Sequence, residues 1–403
     1  MRILAIESSC DETAASILEA DSFEQKLLSN VVVSQIDIFK SYGGVIPEVA
    51  ARSHLEAILP VLDKAFSDAN LTKDGENDWD KIDAIAVTHT PGLLGSLLIG
   101  TLTARTLAIL HNKPLYPVHH LKSHIYSNWL TLENNKSSRR LEQTNSEHKE
   151  ATPTVEPSPK QAPGCGVPGP VEDMTRGALN LSVPTFPLLA LVISGGHTQI
   201  IYMPSHNSFE IIGTTLDDAV GECFDKVAKI LGLPYPGGPS IASAAKSGNP
   251  KKYKLPHPKI DALDFSFSGL KTAVLRAVQK EVGVPISYPS HDLKNLLSGQ
   301  QVADFAASFE KTACEILLEK LQLALKTHPE TRSIVFAGGV SANSRLRELA
   351  SKKLSRENIY FPLPCFSGDN AAMVAMAAFY EIESGVSPTN PYSLNISPRS
   401  VIQ

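Results

Sequence analysis

The sequence predicts a duplicated α/β fold, two halves that each open with an antiparallel meander and continue as strand, turn and helix. Three observations carry this. β-favouring runs recur in the same order in two blocks, each block then passes from a period of two to a helical period, and a polar proline-rich segment lies between them.

In the first block, Arg2–Ser8 is apolar and β-favouring. A turn with Asp11, Glu12 and Thr13 leads to a strand over Ala14–Glu19 and a third near Leu27–Gln35. Pro47 and Glu48 open a helix whose expected buried face carries Val49, Leu55, Ile58 and Leu62. Ile82–Thr88 reads as a strand, THTPGLLGS as a turn, and the apolar run to Leu110 as a helix. The second block repeats the order: a strand over Pro187–Ser194, the turn SGGHT, then strands over Gln199–Met203 and Phe209–Gly213. The helix predicted over Asp218–Gly232 aligns Val220, Phe224, Val227 and Leu231, with Gly232 as its stop. Ser333–Phe336 is a strand, AGGVSANSR a glycine-rich turn, and Leu346–Leu354 a helix. Ligands of such sheets bind at loops beyond the strand ends, so a cleft between the halves is the expected site. The first half is expected to span 1–130, completed by 369–403, and the second 186–368. Residues 131–185, rich in Pro, Ser, Thr, Glu and Lys, lack the apolar content to build a core and read as a disordered insertion.

At 403 residues, with 42% apolar and 20% charged, the chain is neither globally disordered nor a coiled coil. Five scattered cysteines without a C-x-x-C pair argue for a reducing compartment. The net charge of −5 confines any nucleic-acid contact to local patches. MRILAIESS is already a strand pattern, with no secretory or Arg-rich leader before it. Leu93–Leu110 is interrupted by Gly, Ser, Thr and Arg105, so no membrane span is expected.

His120 and His124, spaced i and i+4 in HHLKSH, would share one face of a helix. That spacing suits one metal ion, and equally two ordinary histidines beside an apolar face. Leu121 stands where a zinc protease carries its glutamate base, so that chemistry is not supported. Asp369 precedes an apolar helix closed by Gly385, where it could be a third ligand or simply the N-cap. Four turns suit a phosphate or ribose: ESSCDET, SGGHT, YPGGPS and AGGVSAN. There is no G-x-x-x-x-G-K-[ST] loop. Asp225 lies on a polar helix stripe, as a solvated residue or a ribose acceptor. Lys251, Lys252, Lys254 and Lys259, and Arg345, Arg347, Lys352, Lys353 and Arg356, form basic clusters that serve solvation or an RNA backbone.

ESSCDET, GGVIPEVAARSHLE, TPGLLGSL, HHLKSH, VISGGHTQ, TTLDDAVGECFDKVAKILGLPYPGGP, DFSFSGLKTAV, GGVSANSRLR and DNAAMVA occur in an order that resembles the TsaD family, in its bacterial and mitochondrial branch. The likeness covers nearly the whole chain outside 131–185. It implies a duplicated fold of the actin, sugar-kinase and Hsp70 type. It also implies transfer of threonylcarbamoyl from threonylcarbamoyl-AMP to N6 of adenosine 37 in tRNAs reading codons that begin with A. Matched position by position, His120, His124 and Asp369 would ligate one divalent cation of iron or zinc type. Val192, Ile193, Ser194, Gly195, Gly196, Asp225, Gly238 and Asn343 would contact the adenylate. Asp11 and Glu12 would form the catalytic acidic turn, one of them acting as general base. The resemblance further implies a homodimer, and the long insertion leans toward mitochondria, with the cytoplasm as the alternative. Two positions depart from the family pattern: Lys122 replaces a frequent Glu, and Asp369 follows Phe366-Ser367-Gly368 rather than Cys-x. An ATP-dependent kinase or ATPase of the same fold and a non-catalytic scaffold for tRNA modification are the competing readings.

Overall fold

Two five-stranded sheets of identical topology organise the chain in a computed structural model that describes residues 1–130, 183–258, 260, 263–354, 357–399 and 402. Most of the expected insertion, together with Lys259 and Arg356, lies outside the described residues. The chain divides into two units. One comprises Met1–Gln35, Pro47–Val183 and Asp369–Ser400, and the other Ile36–Ile46, Pro184–Gly368 and Val401–Gln403. Ile36–Ile46, expected in the first half, thus groups with the second unit.

In the first unit β1 (Arg2–Glu7), β2 (Glu12–Ala20) and β3 (Gln25–Ser34) form the antiparallel meander. A separate small hairpin joins β4 (Thr72–Lys73) to β5 (Glu76–Asn77). β6 (Ala84–Thr90) and β7 (Leu115–His119) extend the sheet in parallel, giving the order β3-β2-β1-β6-β7. β1 is central and buried from Ile3 to Glu7, as a strand covered on both faces must be. Leu4, Ile6 and Ile17 pack with Ile58, Leu62 and Phe66 of the helix Pro47–Asp68. That helix departs from the sequence reading. Leu55 is 64% exposed, and the buried stripe runs through Ala50, His54, Ile58, Val61 and Leu62. A histidine occupies a core position, and an apolar count alone assigns that face to its leucine neighbour. The helix Ala371–Glu383 is buried almost all round and packs against β1 and β2, its five alanines permitting close approach.

The second unit repeats the plan. β8 (Leu188–Ile193), β9 (Thr198–Ser205) and β10 (Ser208–Thr214) are antiparallel. β11 (Ser333–Ala337) and β12 (Ile359–Tyr360) add in parallel, in the order β10-β9-β8-β11-β12. The helix expected from Asp218 starts at Val220, because the Thr198 hydroxyl accepts the Val220 N–H at 2.9 Å while Lys226 takes the Asp218 carboxylate at 2.7 Å. Gly232, at φ +73°, ends it as expected. The helix Gly299–Thr327 was not anticipated. A capping box between Ser298 and Gln301 starts it, and Phe305 and Phe309 carry it into the core with Phe224. Among the described residues no helix is long and apolar enough to cross a membrane.

Candidate functional site

The helix His120–Tyr126 starts directly at the end of β7, where the His119 ring accepts the Leu121 N–H at 3.2 Å as its N-cap. This start sets His120 and His124 on one face, with ring centroids 4.6 Å apart and rings edge-on. The helix Ala371–Glu383 packs against it. Its N-cap is Asn370, whose Oδ1 accepts the Met373 N–H at 3.0 Å. Asp369 is therefore not the cap that its position before the helix allowed. Its Oδ1 instead lies 3.1 Å from His124 Nε2 and 3.5 Å from His120 Nε2. One ligand atom from each of the three residues lies within 4.8 Å of the others.

His124 is fully buried, and neither of its ring nitrogens has a hydrogen-bond partner. The 3.1 Å approach to Asp369 therefore lacks hydrogen-bond geometry. Orphaned buried polar atoms cost roughly 1–3 kcal/mol each, so such an atom calls for a physical reason. A cation shared among the three residues supplies one. Two imidazoles and a carboxylate suit a divalent transition metal and leave positions open for a ligand. Burial pushes the His120 imidazolium down, but the Asp369 and Glu7 carboxylates outweigh it and lift its pKa to about 9. A cluster that attracts a proton this strongly is built to accept positive charge. Lys122 turns elsewhere, its ammonium lying 3.6 Å from Glu381 Oε1.

The acidic turn belongs to the same unit. Burial raises Asp11, and the charge of Asp369 raises it further. Glu12 is held well above the usual carboxylate range by burial, then by Asp11 and Asp369. Both carboxyls are thus held above their ordinary range by burial and by neighbouring negative charge. His54, which sequence reasoning passed over, fixes this turn. Its Nε2 donates to the Cys10 carbonyl at 3.0 Å while its Nδ1 meets the Thr13 hydroxyl at 2.7 Å. Ser96 Oγ also donates to the Cys10 carbonyl, at 3.1 Å. Glu7 was missed as well. It is wholly buried and lies 3.3 Å from His120 Nδ1. The available signal was a charged residue closing an otherwise apolar central strand.

In the second unit the glycine turns converge. Val192 and Ile193 are buried strand residues at 0% exposure, so their side chains belong to the core and they set the position of the turn that follows. Ser194 N–H donates to the His197 carbonyl at 2.9 Å and closes the turn that exposes Gly195 and Gly196. Two close approaches hold the end of β8. A Cβ on Gly338, itself at φ +85°, would lie 2.5 Å from the Ile193 carbonyl, and one on Gly221 would lie 2.4 Å from that of Ser194. Asp225 Oδ1 accepts the Gly237 N–H at 2.6 Å, fixing the turn that leads into Gly238. This contact engages an oxygen that the sequence reading allotted to ribose. Asn343 caps the helix Ser344–Lys353 through its Oδ1, 2.9 Å from the Leu346 N–H. Its Nδ2 donates to Glu310 Oε1 at 2.7 Å. Glu310, Ser344 and Arg345 line a cavity of about 340 Å³, of small-molecule size.

The profile of the TsaD family, tRNA N6-adenosine threonylcarbamoyltransferase, matches residues 26–138 and 170–376. The chain belongs to this family. The break in the match, 139–169, falls inside the segment read as an insertion. Among its relatives, the tRNA N6-adenosine threonylcarbamoyltransferase of Thermomicrobium roseum is 40% identical over 96% of this chain and 93% of its own. That of Symbiobacterium thermophilum is 42% identical over 95% and 92%. Among solved structures, T. kodakarensis HypF aligns with a TM-score of 0.54 at 12% identity, covering 95% of this chain and 48% of that one. This last likeness concerns the fold alone.

Proposed function

We propose that this chain transfers a threonylcarbamoyl group from threonylcarbamoyl-AMP to N6 of adenosine 37 in tRNAs that read codons beginning with A. The observation that carries the reading is the convergence of His120, His124 and Asp369 in a chain related along 96% of its length to a transferase of that name. These three side chains would hold one divalent cation of iron or zinc type, which when bound supplies Lewis acidity to a carbamoyl or phosphate oxygen.

The chain's own residues then have limited work, because a mixed carbamic–phosphoric anhydride is already activated. The substrate must be positioned and water kept out. The exposed Gly195 and Gly196, without Cβ atoms, offer main-chain N–H groups to the adenylate. Asp225 and Asn343 act by holding the neighbouring turns, as their bonds to Gly237 and Leu346 support. The N6 amine is a weak nucleophile and must lose a proton as it attacks. Asp11, whose carboxyl burial holds above its ordinary range, accepts that proton. The exposed Lys251, Lys252 and Lys254 provide contacts for the tRNA phosphates despite the net charge of −5.

The same reading places the protein in mitochondria as a homodimer. The long Pro- and Ser-rich insertion over 131–185 leans toward the first, and the exposed leucines Leu94, Leu98 and Leu102 along one helix support the second. The test of the activity is direct. The metal-loaded protein is mixed with threonylcarbamoyl-AMP and a tRNA carrying adenosine 37, and the digested nucleosides are weighed by mass spectrometry. Nucleoside 37 should gain a threonylcarbamoyl group, and a chelator should prevent it. An unmodified nucleoside 37 with intact metal-loaded protein contradicts the proposal.

A further inference from the structure

His120 is held from behind as well as in front. Its Nε2 faces Asp369, whereas its Nδ1 lies 3.2 Å from Ser9 Oγ and 3.3 Å from Glu7 Oε2. Glu7 closes β1 and is 0% exposed. Its Oε1 accepts the backbone N–H of Ser9 at 2.5 Å, and its Oε2 accepts the hydroxyl of Thr88 at 2.5 Å. A backbone N–H can only donate, so Oε1 is committed as an acceptor. With Thr88 donating to Oε2, the hydrogen between this carboxylate and the imidazole is the ring's own Nδ1–H.

The fold alone gives no reason for a carboxylate there. The rest of β1 after Arg2 is Ile3, Leu4, Ala5 and Ile6, all at 0% exposure, and a buried carboxylate is costly unless its hydrogen bonds are complete. The parallel register of β1 and β6, Ile6 opposite Val87, brings Thr88 beside Glu7. Two adjacent strands of the central sheet thus aim the carboxylate at one histidine.

We propose that Glu7 is a positioning residue for the metal centre, fixing the Nδ1–H tautomer and ring orientation of His120 so that Nε2 presents its lone pair beside Asp369 and His124. This rests on the metal reading given above. Outer carboxylates of this kind set ligand geometry and basicity, and their loss weakens metal binding about 10–100-fold.

The test uses the full chain, Zn²⁺ in competition with a chromogenic chelator, and the visible absorption of the Co²⁺-loaded protein. Glu7→Gln should weaken Zn²⁺ binding by roughly 10–100-fold and shift the Co²⁺ bands, an effect that a purely structural role does not produce in a protein that still melts cooperatively. If Glu7→Gln does not fold, the near-isosteric Thr88→Val carries the test, with a smaller loss in the same direction. Wild-type affinity and an unshifted Co²⁺ spectrum in the folded variant, alongside loss of metal in His120→Ala, overturn the proposal alone. Wild-type affinity in His120→Ala overturns the metal reading and this inference with it.

Discussion

The turn Ser194–Gly196 rests so closely on the helix Val220–Leu231 that one methyl group can test its role. A Cβ on Gly221 would lie 2.4 Å from the Ser194 carbonyl oxygen and 2.9 Å from Gly195 Cα. Ordinary contact begins near 3.4 Å, so turn and helix must separate by about 1 Å. Neither side yields easily, since Ser194 follows a buried strand and the helix is seated in the core by Val220, Phe224 and Val227. Gly221→Ala should therefore cost about 1–3 kcal/mol of stability by overpacking. The effect on rate should be larger, because a displacement of about 1 Å in a positioning element costs on the order of 100-fold. The assay is single-turnover transfer to tRNA together with urea denaturation of the same sample. Gly195→Ala is the control, since its Cβ meets nothing within 4 Å in the free protein. It should leave stability unchanged and weaken adenylate binding, because the added methyl intrudes only on a bound ligand. A folded Gly221→Ala with wild-type turnover, or a Gly195→Ala with wild-type adenylate affinity, would remove this turn from the substrate site.

Three further outcomes are expected. Asp11→Asn should lower the transfer rate by about 10²–10⁴-fold with little change in adenylate affinity, and an unchanged rate would end its role as base. Asn343→Ala should lose about 1 kcal/mol for the helix cap and roughly 1–3 kcal/mol for the donor taken from buried Glu310; urea denaturation reads the sum, and an unperturbed midpoint would contradict it. Burial lowers the pKa of His54 below its ordinary value of 6.5, so the native state favours the neutral ring. Its contribution is complete above that value and is lost as the pH falls below it. Stability measured at neutral pH and in mild acid should fall less steeply in His54→Gln than in wild type, and identical pH slopes would show that His54 is not the group responsible.

The two meanders and their strand–turn–helix continuations are legible because the buried strands are apolar and bounded by turn residues, as Leu188–Ile193 before SGGHT illustrates. The helix Gly299–Thr327 is not, because Asp304, Ser308, Glu310 and Thr312 sit on its buried side and break the apolar period. The histidine pair is visible as a spacing, but its meaning depends on Asp369. An aspartate before an apolar helix reads as a cap until Asn370 is found to occupy that position. Glu7 and His54 stay hidden for a related reason. Each is a polar residue whose partners, His120 and the Cys10 carbonyl, lie more than forty residues away, and local pattern carries no trace of such pairs.

Three side chains binding one ion that transfer requires stand at the centre of the proposed chemistry. Metal content per chain, measured by elemental analysis on wild type and Asp369→Ala and set beside transfer to tRNA on the same preparations, tests this directly. One equivalent in the wild type, with metal and modification of adenosine 37 both lost in the variant, is the predicted result. A folded Asp369→Ala that retains its metal and full transfer would contradict the account.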